Sequence, residues 1–228
     1  MKHAEAGNIE NWLQKLLQEN IASKAVEKIR LALEFRQAEV LADNKQDQLA
    51  YTLGVVSSLF DLQVDIDTLV AGILHDASIF DDERLKTIEK TFGGNISALV
   101  SGVHKMDVMP VSEKNLQPGR SLQIDGENLR KMLLAMVEDV RVVLIKLADR
   151  LQRLRQIKNS PPELQQKIAA QVHEIFAPLA NRLGIWQIKW QLEDLSLRYL
   201  QPEAYHRIAK SLAERRTDRE EYIEQFML

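Results

Sequence analysis

The stretch Ile66-Asp67-Thr68-Leu69-Val70-Ala71-Gly72-Ile73-Leu74-His75-Asp76-Ala77 sets the reading of the whole chain. Ile66, Leu69, Val70, Ile73 and Leu74 recur at the three- and four-residue spacing of one helix face. An apolar helix, capped by Asp65 or Asp67, therefore leads to a histidine and a carboxylate. Adjacent side chains on a helix point about 100° apart, so His75 and Asp76 can share an ion only from flanking positions. Further ligands would have to come from other helices. The obvious partner is Asp149, the one carboxylate in the apolar run Leu144-Ile145-Lys146-Leu147-Ala148-Asp149-Arg150.

Outward from this stretch the same period recurs. Helices are expected over residues 8–21, 23–42 and 46–60, with Asp43-Asn44-Lys45 as a turn. Asp81-Asp82-Glu83 opens another helix, with acids where the helix dipole favours them, and Phe92-Gly93-Gly94 closes it. Residues 95–106, 127–137 and 140–157 follow, the last apolar on most sides and so central. Only residues 108–126 lack a period and read as a long loop. After Asn159-Ser160-Pro161-Pro162, a helix over 163–182 is expected to kink or end near Pro178. Gly184 stops it before a helix over 186–200, and Pro202 opens a last one to about residue 226. The fold class is all-α, a bundle of about ten helices with no significant sheet.

Composition agrees and removes several functions. With 45% hydrophobic and 28% charged residues in 228, the chain can bury a substantial core. Nine glycines and six prolines are too few for the turns of an all-β fold. A net charge of −3 offers no basic field, so direct nucleic-acid binding is not expected. Cysteine is absent, which excludes disulfide and thiolate chemistry. No run reaches membrane-spanning length and no signal peptide opens the chain, so a cytoplasmic protein without membrane contact is expected. Because no cap or turn follows Leu228, the chain is expected to be the front part of a longer protein.

Several stretches together carry a family resemblance. Ala71-Gly72-Ile73-Leu74-His75-Asp76, Phe92-Gly93-Gly94-Asn95-Ile96-Ser97-Ala98-Leu99-Val100-Ser101-Gly102-Val103-His104-Lys105 and Lys146-Leu147-Ala148-Asp149-Arg150 are similar to segments of the RelA/SpoT family's HD hydrolase domain. Glu127-Asn128-Leu129-Arg130-Lys131-Met132, Phe176-Ala177-Pro178-Leu179-Ala180-Asn181-Arg182-Leu183-Gly184-Ile185 and Lys189-Trp190-Gln191-Leu192-Glu193-Asp194-Leu195 extend the likeness over roughly residues 25–228. The resemblance implies (p)ppGpp metabolism in the bacterial stringent response. Active members hydrolyse (p)ppGpp with a manganese ion held by a histidine, the His-Asp pair and a later aspartate.

Set against that pattern, the hydrolase set is incomplete. The first histidine should stand 24 residues before the pair, where this chain has Tyr51. A phenol is a poor ligand for a manganese-like ion at neutral pH. The family's acidic pair falls on Ile79 and Phe80, with Asp81 and Asp82 two residues late and about 200° away on a helix. Nucleotide-facing asparagine and threonine are replaced by Arg153 and Gln156; Lys146 and Arg150 are the other residues expected to face a nucleotide. Tyr51, His75, Asp76, Ile79, Phe80 and Asp149 thus read as the remnant of a hydrolase site with no catalytic set intact. No metal is expected; His75, Asp76 and Asp149 are the residual candidates, for Mn2+.

This loss is similar to the RelA branch. The resemblance implies a pseudo-hydrolase regulatory domain over residues 1–200, then a helix over 201–228 leading toward a synthetase domain absent from this chain. That domain, a GTP pyrophosphokinase using Mg2+, would make (p)ppGpp from ATP and GTP or GDP, so the parent is an enzyme and the fragment is not. Implied partners are the adjoining synthetase, (p)ppGpp itself, and the ribosome through absent C-terminal regions. Two alternatives stand beside it: an active manganese-dependent (p)ppGpp 3′-pyrophosphohydrolase with an altered ligand set, and a helical interaction scaffold.

Without metal, Asp149 is expected to pair with Lys146 or Arg150, and Tyr51 to bond Asp76 or Asp149 through its hydroxyl. Trp186 and Trp190, one turn apart, are expected in the core rather than as a base-stacking platform. His104, His173 and His206 are expected to be ordinary surface or capping residues.

Overall fold

The structure, a computed structural model, describes residues 12–14, 23–42, 47–76, 80–108 and 139–212. Among these the all-α expectation holds, and no strand occurs. The helix over most of 8–21, the turn at 43–45, the loop at 108–126 apart from Val108, which is helical, the helix at 127–137, Ile79 and the chain past 212 lie outside the described residues. The chain divides into two compact units, Met1–Arg153 and Leu154–Leu228.

In the first unit, α1 spans Ser23–Ala42, α2 Asp47–Asp61, α3 Ile66–Leu74, α4 Asp82–Phe92 and α5 Gly94–Val108, and α6 begins at Val140. The centre is α3, which packs on α1, α2 and α5. Every residue from Thr68 to Leu74 is buried, each large aliphatic side chain contributing about 1.5–3 kcal/mol of transfer free energy. Its start is fixed by Asp65, whose carboxylate accepts from Thr68 N at 3.0 Å and Thr68 Oγ1 at 2.8 Å. The other candidate, Asp67, instead accepts from Lys28 Nζ at 2.7 Å and Asn95 Nδ2 at 2.5 Å, which holds its carboxyl below the usual range. Asp81 caps α4, accepting from Arg84 N at 2.6 Å, and Gly93 ends it at φ 99°, a left-handed conformation that a side chain would strain.

Two glycines set how closely helices approach. A Cβ on Gly72 of α3 would lie 2.5 Å from Leu59 Cδ1 of α2, and one on Gly102 of α5 would lie 2.7 Å from Val142 Cγ2 of α6. Only hydrogen fits at either place.

α6 runs Val140–Gln156, so its last turn enters the second unit. A 3₁₀ turn at Ile157–Asn159 follows, then α7 Pro162–Gln171, α8 Ala177–Arg182, α9 Trp186–Leu200 and a helical stretch over 202–212. The expected break near Pro178 takes a definite form. Val172–Phe176 widens into a π turn, with Ala177 N donating to Val172 O, immediately before the residue that has no amide hydrogen to donate. Gly184, at φ 72°, ends α8, and Ile185 N closes back on Ala180 O at 3.0 Å.

α9 corrects one expectation. Its buried residues are Ile188, Leu192 and Ser196, four apart, while Trp186 is 65% and Trp190 54% exposed. Each tryptophan is two residues, about 200°, from that buried stripe and so faces outward. Large apolar surface alone had suggested core, but position on the helix decided otherwise.

Candidate functional site

The buried run of α3 ends at His75, which occupies the helix C-cap. Its Nδ1 lies 2.7 Å from the Gly72 carbonyl oxygen, which can only accept, so Nδ1 carries the proton. Nε2 is thereby turned toward Asp149 Oδ1, at 3.4 Å. Asp149 sits on α6, which meets α5 closely at Gly102.

Asp149 is the hub. Its Oδ1 accepts from Tyr51 Oη on α2 at 2.5 Å, and Tyr51 Oη also lies 3.0 Å from the Asp149 backbone carbonyl. Its Oδ2 accepts from Lys146 Nζ at 2.9 Å, with Arg150 Nε 4.0 Å away. Burial alone would push this carboxyl up, but the Lys146 charge, His75 and Arg150 together hold it well below the usual range. The opposite holds for Tyr51: burial, then the Asp149 charge and hydrogen bond, raise its phenol well above the ordinary value. A neutral phenol therefore donates to an ionised carboxylate, a charge-assisted bond between α2 and α6.

Asp76, adjacent to His75 in sequence, goes elsewhere. Its Oδ2 pairs with Arg36 of α1, a guanidinium only 2% exposed. Arg36 also reaches Glu39 Oε2 at 3.3 Å and Gln48 Oε1 at 3.2 Å. Glu39 in turn takes Arg84 of α4 through both oxygens, at 2.5 and 3.1 Å. Arg84 Nη2 donates as well to the Leu74 carbonyl at 2.9 Å, satisfying an acceptor left open at the end of α3. So the His-Asp pair splits: His75 joins the Asp149 cluster and Asp76 joins an arginine–glutamate network.

A third group lies on α5. Asp107 pairs with Lys146 and accepts from Arg150 Nη2 at 3.3 Å, so Lys146 bridges two carboxylates. Phe80 stacks on His104 with ring centroids 3.7 Å apart and planes 7° from parallel. His104 Nδ1 is buried with no hydrogen-bond partner among the described residues, so this histidine is a packed ring and not the ordinary surface residue expected. His173 and His206 are exposed. Asp81 is committed to capping α4, and Asp82 is exposed. Arg153 is half-buried and its charge acts on Tyr51; Gln156 is exposed and belongs to the second unit. Among the described residues, no group of three or more His, Asp or Glu side chains is placed to hold a metal ion.

The HD domain family matches residues 29–186, well over half of the chain and inclusive of the clusters around Asp149, Arg36 and Asp107. The chain belongs to the HD domain family. Within it, the relatives are of the RelA/SpoT type. A GTP pyrophosphokinase of Escherichia coli (strain K12) is 44% identical over 177 residues, 76% of this chain and 23% of the relative. A probable guanosine-3′,5′-bis(diphosphate) 3′-pyrophosphohydrolase of Synechocystis sp. is 42% identical over 176 residues, 77% of this chain and 22% of the relative. A GTP pyrophosphokinase of Photobacterium angustum is 37% identical over 223 residues, 95% of this chain and 29% of the relative. The chain therefore spans less than a third of each of these longer proteins. Among the described residues, no helix of this HD domain is long and apolar enough to cross a membrane.

Of the residues expected at the site, Tyr51, His75, Asp149, Lys146 and Arg150 come together in this HD domain, Asp76 joins Arg36 instead, and Phe80 turns to His104. Sequence reasoning missed Arg36 and Asp107. A usable signal existed: Arg36 falls on the stripe Ile29, Leu33, Val40, and Asp107 follows Val100 and Val103 on α5. A charge on a buried stripe announces a buried partner.

Proposed function

We propose that this chain is a pseudo-hydrolase HD domain that does not turn over (p)ppGpp and serves as a regulatory module of a RelA-like GTP pyrophosphokinase. One observation carries the reading. Tyr51, where the resemblance calls for a metal-ligating histidine, donates its hydroxyl to Asp149 Oδ1 at 2.5 Å. A phenol raised in pKa by burial and by that carboxylate stays protonated, offering a divalent ion a weak neutral oxygen.

The remaining donors fit a metal no better as they stand. Asp76 is tied to Arg36, and both oxygens of Asp149 already accept from Tyr51 and Lys146. The position expected to supply a water-orienting acid is Phe80, stacked on His104. Hydrolysis of a pyrophosphate needs both an activated water and a group to take its proton. What the residues do instead is link α1, α2, α4, α5 and α6 through charge pairs and hydrogen bonds.

In this reading residues 1–200 form the HD module, residues 201–228 lead toward a synthetase domain in the longer parent, and the protein is cytoplasmic. The module's two ion-pair clusters give the parent a rigid element whose arrangement the synthetase can sense. The test is direct. Purified chain, supplied with Mn2+ and (p)ppGpp, is expected to bind no stoichiometric metal and release no pyrophosphate; release above buffer overturns the proposal.

A second reading keeps the chain as a manganese-dependent (p)ppGpp 3′-pyrophosphohydrolase with an altered ligand set. It is favoured by His75 Nε2 lying 3.4 Å from Asp149 Oδ1, and by the pyrophosphohydrolase activity for which the Synechocystis relative is named. Calorimetry with manganese and (p)ppGpp, separately and together, separates the two.

A further inference from the structure

The outward face of α9 has no role in the site. Trp186 and Trp190 stand one turn apart on it, and each leaves more than half of its surface in solvent. The helix already spends its inward stripe, Ile188, Leu192 and Ser196, on the second unit. Tryptophan is large, costly to leave wet and enriched at protein contacts, so a paired display on one rigid helix marks a surface made to be covered.

The chemistry around the pair selects a protein as the cover. Nucleic acid would need unpaired cations beside the rings, but Lys189, between the two tryptophans in sequence, is paired with Glu193 at 3.2 Å. The next exposed positions along the same face are Asp194 and Arg198, one of each sign, which suits neither an anionic lipid surface nor a phosphate backbone. The Photobacterium angustum relative matches 95% of this chain with only 29% of its own length, so the longer protein carries abundant further polypeptide on the same chain. A covalently joined partner also needs little intrinsic affinity, because its effective concentration is high.

We propose that the Trp186–Trp190 face of α9 is a docking surface, buried by the next folded unit of the same polypeptide in the full-length parent. This rests on the reading above that the chain is a module of a longer protein, and it names the surface through which that module would be held.

The experiment uses the chain's small tryptophan content, three residues, of which Trp12 is 4% exposed. The 228-residue chain and the full-length parent are each labelled with 5-fluorotryptophan, and resonances are assigned by Trp12→Phe, Trp186→Phe and Trp190→Phe. An uncharged gadolinium chelate then reports solvent access by ¹⁹F relaxation. In the isolated chain, Trp186 and Trp190 should relax strongly and Trp12 weakly. In the parent, the enhancement at Trp186 and Trp190 should fall by roughly threefold or more as the face is desolvated. Equal access in both proteins overturns the proposal. So does protection that develops in the isolated chain as its concentration rises, which would make a second copy the occupant. Synthetase regulation is assayed separately in a parent lacking residues 1–200. Protected tryptophans with unaltered regulation would uphold the docking surface and defeat the regulatory reading; exposed tryptophans with altered regulation would do the reverse.

Discussion

Tyr51 Oη stands 2.5 Å from Asp149 Oδ1, and His75 Nε2 stands 3.4 Å from the same oxygen. Three helices therefore deliver a phenol, an imidazole and a carboxylate to one point, although the residues are as much as 98 positions apart. The phenol bond is the one that a change of side chain turns most directly into a measurement.

Replacing Tyr51 with histidine puts a second imidazole beside His75 and Asp149, a nitrogen-rich set that suits a divalent transition ion. Tyr51→His should bind Mn2+ about tenfold more tightly than the parent chain, the scale on which single changes around metal sites act. Electron paramagnetic resonance of free Mn2+ measures this. Pyrophosphate release should stay absent in that variant, because Phe80 still occupies the place of the acid. Unchanged Mn2+ affinity would mean that Tyr51 is not what keeps the ion out.

The same bond makes stability depend on pH at both extremes. Tyr51 is raised in the folded state, so its contribution is complete below about pH 10 and is lost as pH climbs through the folded value. Asp149 is depressed in the folded state, so its contribution is complete above about pH 4 and is lost as pH falls through its folded value. Thermal melts of the parent chain and Tyr51→Phe should converge above about pH 10, where the phenol's advantage disappears. Absorbance at the phenolate band should show Tyr51 ionising late. A parallel offset between the two melting curves across the alkaline range would contradict the assignment.

Arg36 is buried under three acceptors, and removing it takes the guanidinium from the Asp76 charge, while Glu39 keeps Arg84. Arg36→Leu is expected to cost about 3–5 kcal/mol in urea denaturation. Adding Asp76→Asn should recover part of that loss, because the charge that Arg36 balanced is gone. A double-mutant cycle with no coupling between the two positions would show that the pair carries no weight.

Gly72→Ala tests the contact between α2 and α3. Its methyl would meet Leu59 Cδ1 at 2.5 Å, and because Leu59 is fully buried, the core must repack to admit it. A loss of about 1–3 kcal/mol is expected from overpacking. Gly94→Ala is the control, since a Cβ there meets nothing closer than 3.9 Å, and it should be near neutral. Equal effects of the two changes would argue against a tight crossing.

Much of this was open to reading along the chain. The apolar spacing from Ile66 to Leu74, a cap at Asp65 or Asp67, the helix start at Asp81-Asp82-Glu83 and the break at Pro178 are local. Each follows from how a few consecutive residues satisfy their own backbone, so the period and the polar flanks suffice. The likeness of residues to a hydrolase pattern, and its gaps at Tyr51 and Phe80, were likewise a matter of identity and spacing.

Partnership was a different kind of question. That Asp76 would choose Arg36, that Lys146 would bridge Asp107 and Asp149, and that Phe80 would lie flat on His104 depend on which helices meet and at what depth. Trp186 and Trp190 were misjudged for the same reason: their size favours burial, yet the side of α9 that meets its neighbours belongs to Ile188 and Leu192. Backbone periodicity is written residue by residue, whereas the energy of a buried charge or an exposed ring is set by whatever the folded chain places within a few ångströms of it.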